Sequence, residues 1–173
     1  MSLSGILLNH PEWIAGISMP EWLTPAQYKF ENWNRSSIIQ AQFSEINPGS
    51  GYFCGKAGIW KTEDGGKNFV AMMEGLPASD FYRKSYSLLL MDEKNILLAG
   101  TEKGLYFCDV RDEIWKPVDL EHDHIPVKKI INAGGEIYLF TESEAWELTV
   151  RENNIIPAKI ELIKNNANKD VSL

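Results

Sequence analysis

The run Gly58-Ile59-Trp60-Lys61-Thr62-Glu63-Asp64-Gly65-Gly66-Lys67-Asn68-Phe69 leaves this chain little choice of local structure. A strand-like stretch leads into it, a turn rich in Asp and Gly reverses it, and an aromatic residue opens the return. Gly65 and Gly66 accept positive φ without steric cost, as a tight reversal requires. Asp64 carries a short acceptor that reaches the backbone N–H groups just ahead, and the Thr62 hydroxyl adds a second partner. The segment therefore predicts a β-hairpin, with Phe69 packed against it to fix the register.

Looser copies of the unit follow. Gly58-Ile59-Trp60 corresponds to Gly104-Leu105-Tyr106, and Thr101-Glu102-Lys103-Gly104-Leu105-Tyr106 to Thr141-Glu142-Ser143-Glu144-Ala145-Trp146. The spacing, roughly forty to forty-six residues, is that of four-stranded propeller blades. Strand signals over residues 38–43, 51–55, 58–62 and 68–72 make the first set. The second covers 86–91, 95–100, 104–109 and 115–118, and the third 127–132, 136–140, 145–150 and 155–162. An aromatic residue recurs in each third strand (Trp60, Tyr106, Trp146), where blades would pack on one another. The fold expected is all-β and propeller-like, with three four-stranded antiparallel blades over 37–163. An irregular arm rich in Trp and Pro precedes them at 1–36, and a polar tail follows at 164–173.

Thr62-x-Asp64-x-Gly66-x-Asn68-Phe69 resembles the Asp-box of sialidases, sortilin-type receptors and photosystem assembly factors. That resemblance implies a turn joining the third and fourth strands of a blade, with Thr62, Asp64, Gly66 and Phe69 as its structural residues. It also implies a place on the blade periphery, away from the usual active site. Asp109-Val110-Arg111-Asp112-Glu113 reads as a second such turn that has lost both glycines.

The arm begins apolar at Gly5-Ile6-Leu7-Leu8 and turns polar at Asn9-His10, with no basic leader and no small-residue cleavage site. It reads as the last turns of a hydrophobic helix. Gly5-Ile6-Leu7-Leu8-Asn9-His10, with Trp22-Leu23 and Tyr28, is similar to the segment leaving the first membrane span in PepSY-associated transmembrane proteins. This resemblance implies an extracytoplasmic region attached to a flanking span. Trp13, Trp22 and Trp33 fit either a belt at the membrane interface or staples holding the arm on the β-domain. Thr24-Pro25 opens a short predicted helix.

Composition narrows the function. A net charge of -7 argues against sequence-independent nucleic-acid binding, since no cationic surface would meet the phosphates. Cys54 and Cys108 lack C-x-x-C spacing and read as small buried hydrophobes, with a disulfide as the rival reading. His122 and His124 lie two apart in Glu121-His122-Asp123-His124 and would project together in an extended loop. With no third ligand placed by the sequence, they read as part of a solvated connection, and a shared divalent ion is the rival reading. No cofactor motif is present.

A sialidase-like site would need an arginine cluster, a Tyr nucleophile and an acid/base carboxylate. Only Arg35, Arg83, Arg111 and Arg151 are available. Arg35 and Arg83 precede inner strands and, with Tyr86, form the candidate ligand rim. The function expected is therefore a non-catalytic extracytoplasmic interaction module, anchored to a membrane by a flanking span. A carbohydrate-binding or glycosidase domain is the alternative. Three blades cannot close a ring, so two chains closing a six-bladed ring are expected, with an arm folded over one open face, or flanking sequence completing the ring, as the rivals.

Overall fold

The computed structural model describes residues 38–121, 124–151 and 154–160. The arm with Trp13, Trp22, Trp33 and Arg35, the residue His122 and the polar tail lie outside the described residues.

Among the described residues, twelve strands form three separate four-stranded sheets, each a meander in sequence order. The first holds β1 (Ile38–Phe43), β2 (Gly51–Gly55), β3 (Gly58–Thr62) and β4 (Val70–Ala71). After a one-turn helix α1 (Asp80–Arg83) come β5 (Ser85–Met91), β6 (Ile96–Thr101), β7 (Leu105–Asp109) and β8 (Trp115–Pro117). The third sheet holds β9 (Lys129–Ala133), β10 (Glu136–Phe140), β11 (Ala145–Arg151) and β12 (Asn154–Ile160). All pairings are antiparallel, as short turns between consecutive strands require. The architecture is all-β and propeller-like.

Register makes the blades equivalent. Trp60 lies opposite Phe53, and Phe53 opposite Ala41. Tyr106, Ala99 and Leu88 repeat that row in the second blade, and Trp146, Leu139 and Ile130 in the third. Blades one and two even share a register shift at the same place, between Ile38 and Gln40 and between Ser85 and Ser87.

Alternation along each strand gives every inner blade two apolar faces. Cys54, Ile59 and Met72 of blade one meet Leu88, Leu97, Ala99, Tyr106, Cys108 and Trp115 of blade two in one cluster. The opposite face of blade two brings Leu89, Ile96, Leu98 and Leu105 against Ile130, Ile137, Leu139, Trp146 and Leu148. In both cases the third-strand aromatic faces the preceding blade. Trp115 adds a directed contact, donating its indole N–H to the Met72 carbonyl at 2.9 Å.

The inner strands are joined by side chains, because among the described residues no strand pairs with their axial edges. Gln40 accepts from the Leu88 N–H at 3.0 Å and donates to the Leu88 carbonyl at 2.9 Å. Gln42 accepts from the Leu90 N–H at 2.5 Å. One interface along, the Ser87 hydroxyl accepts from the Ile130 N–H at 3.0 Å. Buried backbone groups need partners, and here the previous blade supplies them. The pairs 40 with 88 and 42 with 90 also show that β1 and β5 run in the same direction.

Candidate functional site

That common direction places the segments leading into β5 and β9 at the same end as the β2–β3, β6–β7 and β10–β11 turns. Lys84 and Tyr86 come from the first group with Lys128, and Lys56, Glu102 and Glu142 from the turns. Tyr86 is the centre of this rim. Lys128 Nζ stands 3.9 Å from its ring centroid and Lys84 Nζ 4.6 Å, both within cation–π range. Its hydroxyl donates to Glu102 Oε2. Lys128 also lies 3.7 Å from Glu102 and 3.6 Å from Glu142. The Glu102 N–H donates to the Lys84 carbonyl at 2.8 Å, which ties the turn to the strand.

Burial pushes the Tyr86 phenol well above its ordinary range, and the Glu102 hydrogen bond adds to the shift. Tyr86 is thus a protonated donor at neutral pH, poorly suited to nucleophilic attack. Burial draws the Lys84 ammonium down, with Lys128 and Lys56 acting in the same sense against Glu102.

Arg83 points elsewhere. Its guanidinium pairs with Asp80 and donates to the Ala78 carbonyl at 3.3 Å. Its stem lies over the β2–β3 turn, where a Cβ built on Gly58 would come 3.2 Å from Arg83 Cγ. No hydrogen bond or ion pair joins Arg83 to Tyr86 among the described residues. His124 stacks on Tyr82, with ring centroids 5.4 Å apart and planes at 19°. It also borders a cavity of about 290 Å³ with Tyr106, Pro117 and Leu120. Among the described residues no group of three His, Cys, Asp or Glu side chains is placed to hold a metal ion.

The Thr62–Phe69 turn lies at the other end of blade one. Asp64 Oδ1 accepts from the Lys67 and Asn68 N–H groups, each at 2.9 Å, and Oδ2 accepts from the Asn68 amide at 2.6 Å. The Thr62 hydroxyl donates to Asp64 at 2.9 Å and accepts from the Gly66 N–H at 2.9 Å. Gly65 and Gly66 take φ of +73° and +91°. Led by the Asn68 N–H, these bonds hold the Asp64 carboxyl at about 2. Phe69 is half-buried rather than enclosed, and packs edge-on against Phe53 at 5.0 Å. In the turn of blade two, Asp109 accepts from the Arg111 side chain at 2.8 Å and from its N–H at 3.0 Å. Glu113 takes the positive φ (58°) there without a glycine, and its carboxylate pairs with Lys61 across the blades.

Cys54 and Cys108 are both free and buried in the interface between blades one and two. Burial pushes both thiols up to about 12, so neither is a thiolate at neutral pH.

No protein-family model matches the sequence, and no curated protein matches it. Solved structures do match, and they are propeller-type proteins. The dihydro-heme d1 dehydrogenase NirN in complex with DHE aligns with a TM-score of 0.51 at 15% identity, over 72% of this chain and 29% of that one. The GH74 xyloglucanase of Xanthomonas campestris gives 0.52 at 12%, over 71% and 22%. The Niastella koreensis GH74 enzyme gives 0.50 at 14%, over 75% and 24%. At these identities the likeness is one of fold. The chain spans less than a third of each of these three structures.

Proposed function

We propose that this chain is a non-catalytic interaction module that contributes a sector to a larger propeller ring. The observation that carries the reading is a patch of exposed apolar residues on β1, at the edge of blade one. By register, the face bearing Ala41, Phe43, Phe53 and Trp60 is the one on which a preceding blade would pack. On it Phe53 is buried and Trp60 half-buried, whereas Ile39 is 44% exposed and Phe43 47%, beside an exposed Ala41. An apolar face of this kind on a propeller sector is a docking surface. The Thr62–Asn68 turn is read as an Asp-box, a structural device on the periphery.

A second copy is the proposed occupant, with blade one of each chain on blade three of the other in a six-bladed ring. The arm over residues 1–36 is the rival occupant. The arm's resemblance to PepSY-associated proteins supports an extracytoplasmic place beside a membrane span. The carbohydrate-active alternative draws on the fold shared with GH74 enzymes. Against it stand an Arg83 engaged by Asp80 and a Tyr86 phenol kept protonated.

Light scattering on the isolated chain at micromolar concentration tests the assembly. A mass near twice 19.6 kDa, reduced to one chain by Phe43→Asp, is the expected result. A monomer unaffected by that change removes the two-chain ring.

A further inference from the structure

Among the described residues, the rim around Tyr86 holds an ammonium that has no ion-pair partner. Lys84 is half-buried, and no carboxylate lies within ion-pair distance of it among the described residues. Its neighbour Arg83 is held by Asp80. Glu102, the one acidic group acting on Lys84, already accepts from Tyr86 and faces Lys128. Lys128 divides its charge between Glu102 and Glu142. Lys56, from the turn of blade one on which Arg83 rests, is half-buried and likewise has no ion pair among the described residues. In a chain of net charge -7, two adjacent unmatched ammonium groups are a local exception.

We infer that Lys56 and Lys84, braced by the Tyr86 ring, bind the oxyanion group of a small ligand, a carboxylate or a phosphate, where blades one and two meet. An ammonium that has lost part of its hydration recovers the most from an oxyanion, through short charge-assisted bonds. Lysines act there as point charges and demand no bidentate geometry, so either anion fits. Tyr86 contributes position, because its ring face holds the Lys84 amine at 4.6 Å while Glu102 fixes its hydroxyl. The lowered affinity of Lys84 for its proton has the same origin, since Glu102 offsets its burial only in part. The site is independent of the blade-one docking face and stands whether or not two chains form a ring.

Amide NMR of the whole chain, titrated separately with sodium glucuronate, inorganic phosphate and sodium chloride at matched ionic strength, tests it. The Lys84 and Glu102 amides, joined by a hydrogen bond, report the site. Saturable shifts with glucuronate alone identify a carboxylate ligand, with phosphate alone a phosphate ligand, and with both a general oxyanion site. Lys84→Gln should weaken binding about tenfold or more, the worth of one charged hydrogen bond. Lys67→Gln, far away on the exposed turn, should leave it unchanged. If Lys84→Gln disturbs the whole spectrum, Lys56→Gln gives the same reading from the outer side of the site. The absence of saturation up to about 50 mM of either anion, a range that still detects millimolar binding, overturns the inference. So does equal affinity in wild type and the Lys84 or Lys56 variant.

Discussion

The Gln40 carboxamide meets both backbone polar groups of Leu88, accepting its N–H at 3.0 Å and donating to its carbonyl at 2.9 Å. It does for Leu88 what a neighbouring strand would do, although it belongs to a different sheet. Gln40→Leu keeps the bulk and leaves both groups unpaired at a half-buried interface. A loss of about 1–3 kcal/mol is expected in urea denaturation. Gln40→Glu retains the acceptor alone and should fall between the two. A loss below a few tenths would mean that water replaces the carboxamide.

Asp64 sets an acid limb on stability. Its folded pKa, about 2, lies below the ordinary 3.8, so its contribution is present above that ordinary value and is lost as pH falls through about 2. Asp109, held at about 2 by Arg111, acts over the same window. Thermal melts of wild type and Asp64→Ala should differ by several degrees at neutral pH and converge as pH falls from about 4 to about 2. A gap that does not change with pH would show that the charged form is not what the turn holds.

The two cysteines offer a test of the interface between blades one and two. With both thiols buried and protonated, a thiol-specific reagent at pH 8 should label neither in the native protein. Both should react once denaturant opens the sheets. Fast labelling of the native chain would mean that blades one and two separate readily.

Lys129 stands in the register position that Gln40 and Ser87 occupy in the other blades. In the proposed two-chain ring it would meet Ala41 of the second copy, and an ammonium can donate to a carbonyl but cannot accept from an N–H. Lys129→Gln supplies both functions and should tighten the dimer about tenfold in dilution experiments. An unchanged dissociation constant would place another partner on blade one.

Much of the fold was legible from punctuation. The bounds of β2, β3 and β10 follow from glycines at or beside their ends, together with the apolar residues between them. The fourth strand of blade one, read from Asn68 to Met72, is only Val70–Ala71. The Asn68 N–H and amide are used by Asp64, so the chain joins the sheet two residues later. The rim was harder to see. Tyr86 was legible as a residue near the start of an inner strand, but Lys84, Lys128 and Glu102 converge on it from two blades and a turn. No sequence spacing records that. Gln40 carried the opposite signal, since a polar residue alternating with apolar ones reads as a solvent face, whereas here it faces the next blade.

The stitches along the axis also have a direction. At each interface a side chain of the earlier blade, Gln40 or Ser87, bonds main chain of the later one, Leu88 or Ile130, and at the first interface the Ser87 hydroxyl also donates to Gln40 Oε1 at 3.1 Å. Main chain is common to every residue but proline, so the receiving strand can change its sequence freely without losing the bond. The main-chain bond itself constrains only the giving strand. A blade copied in tandem by gene duplication would therefore find its place beside the parent blade at once, before any mutation had adapted one to the other.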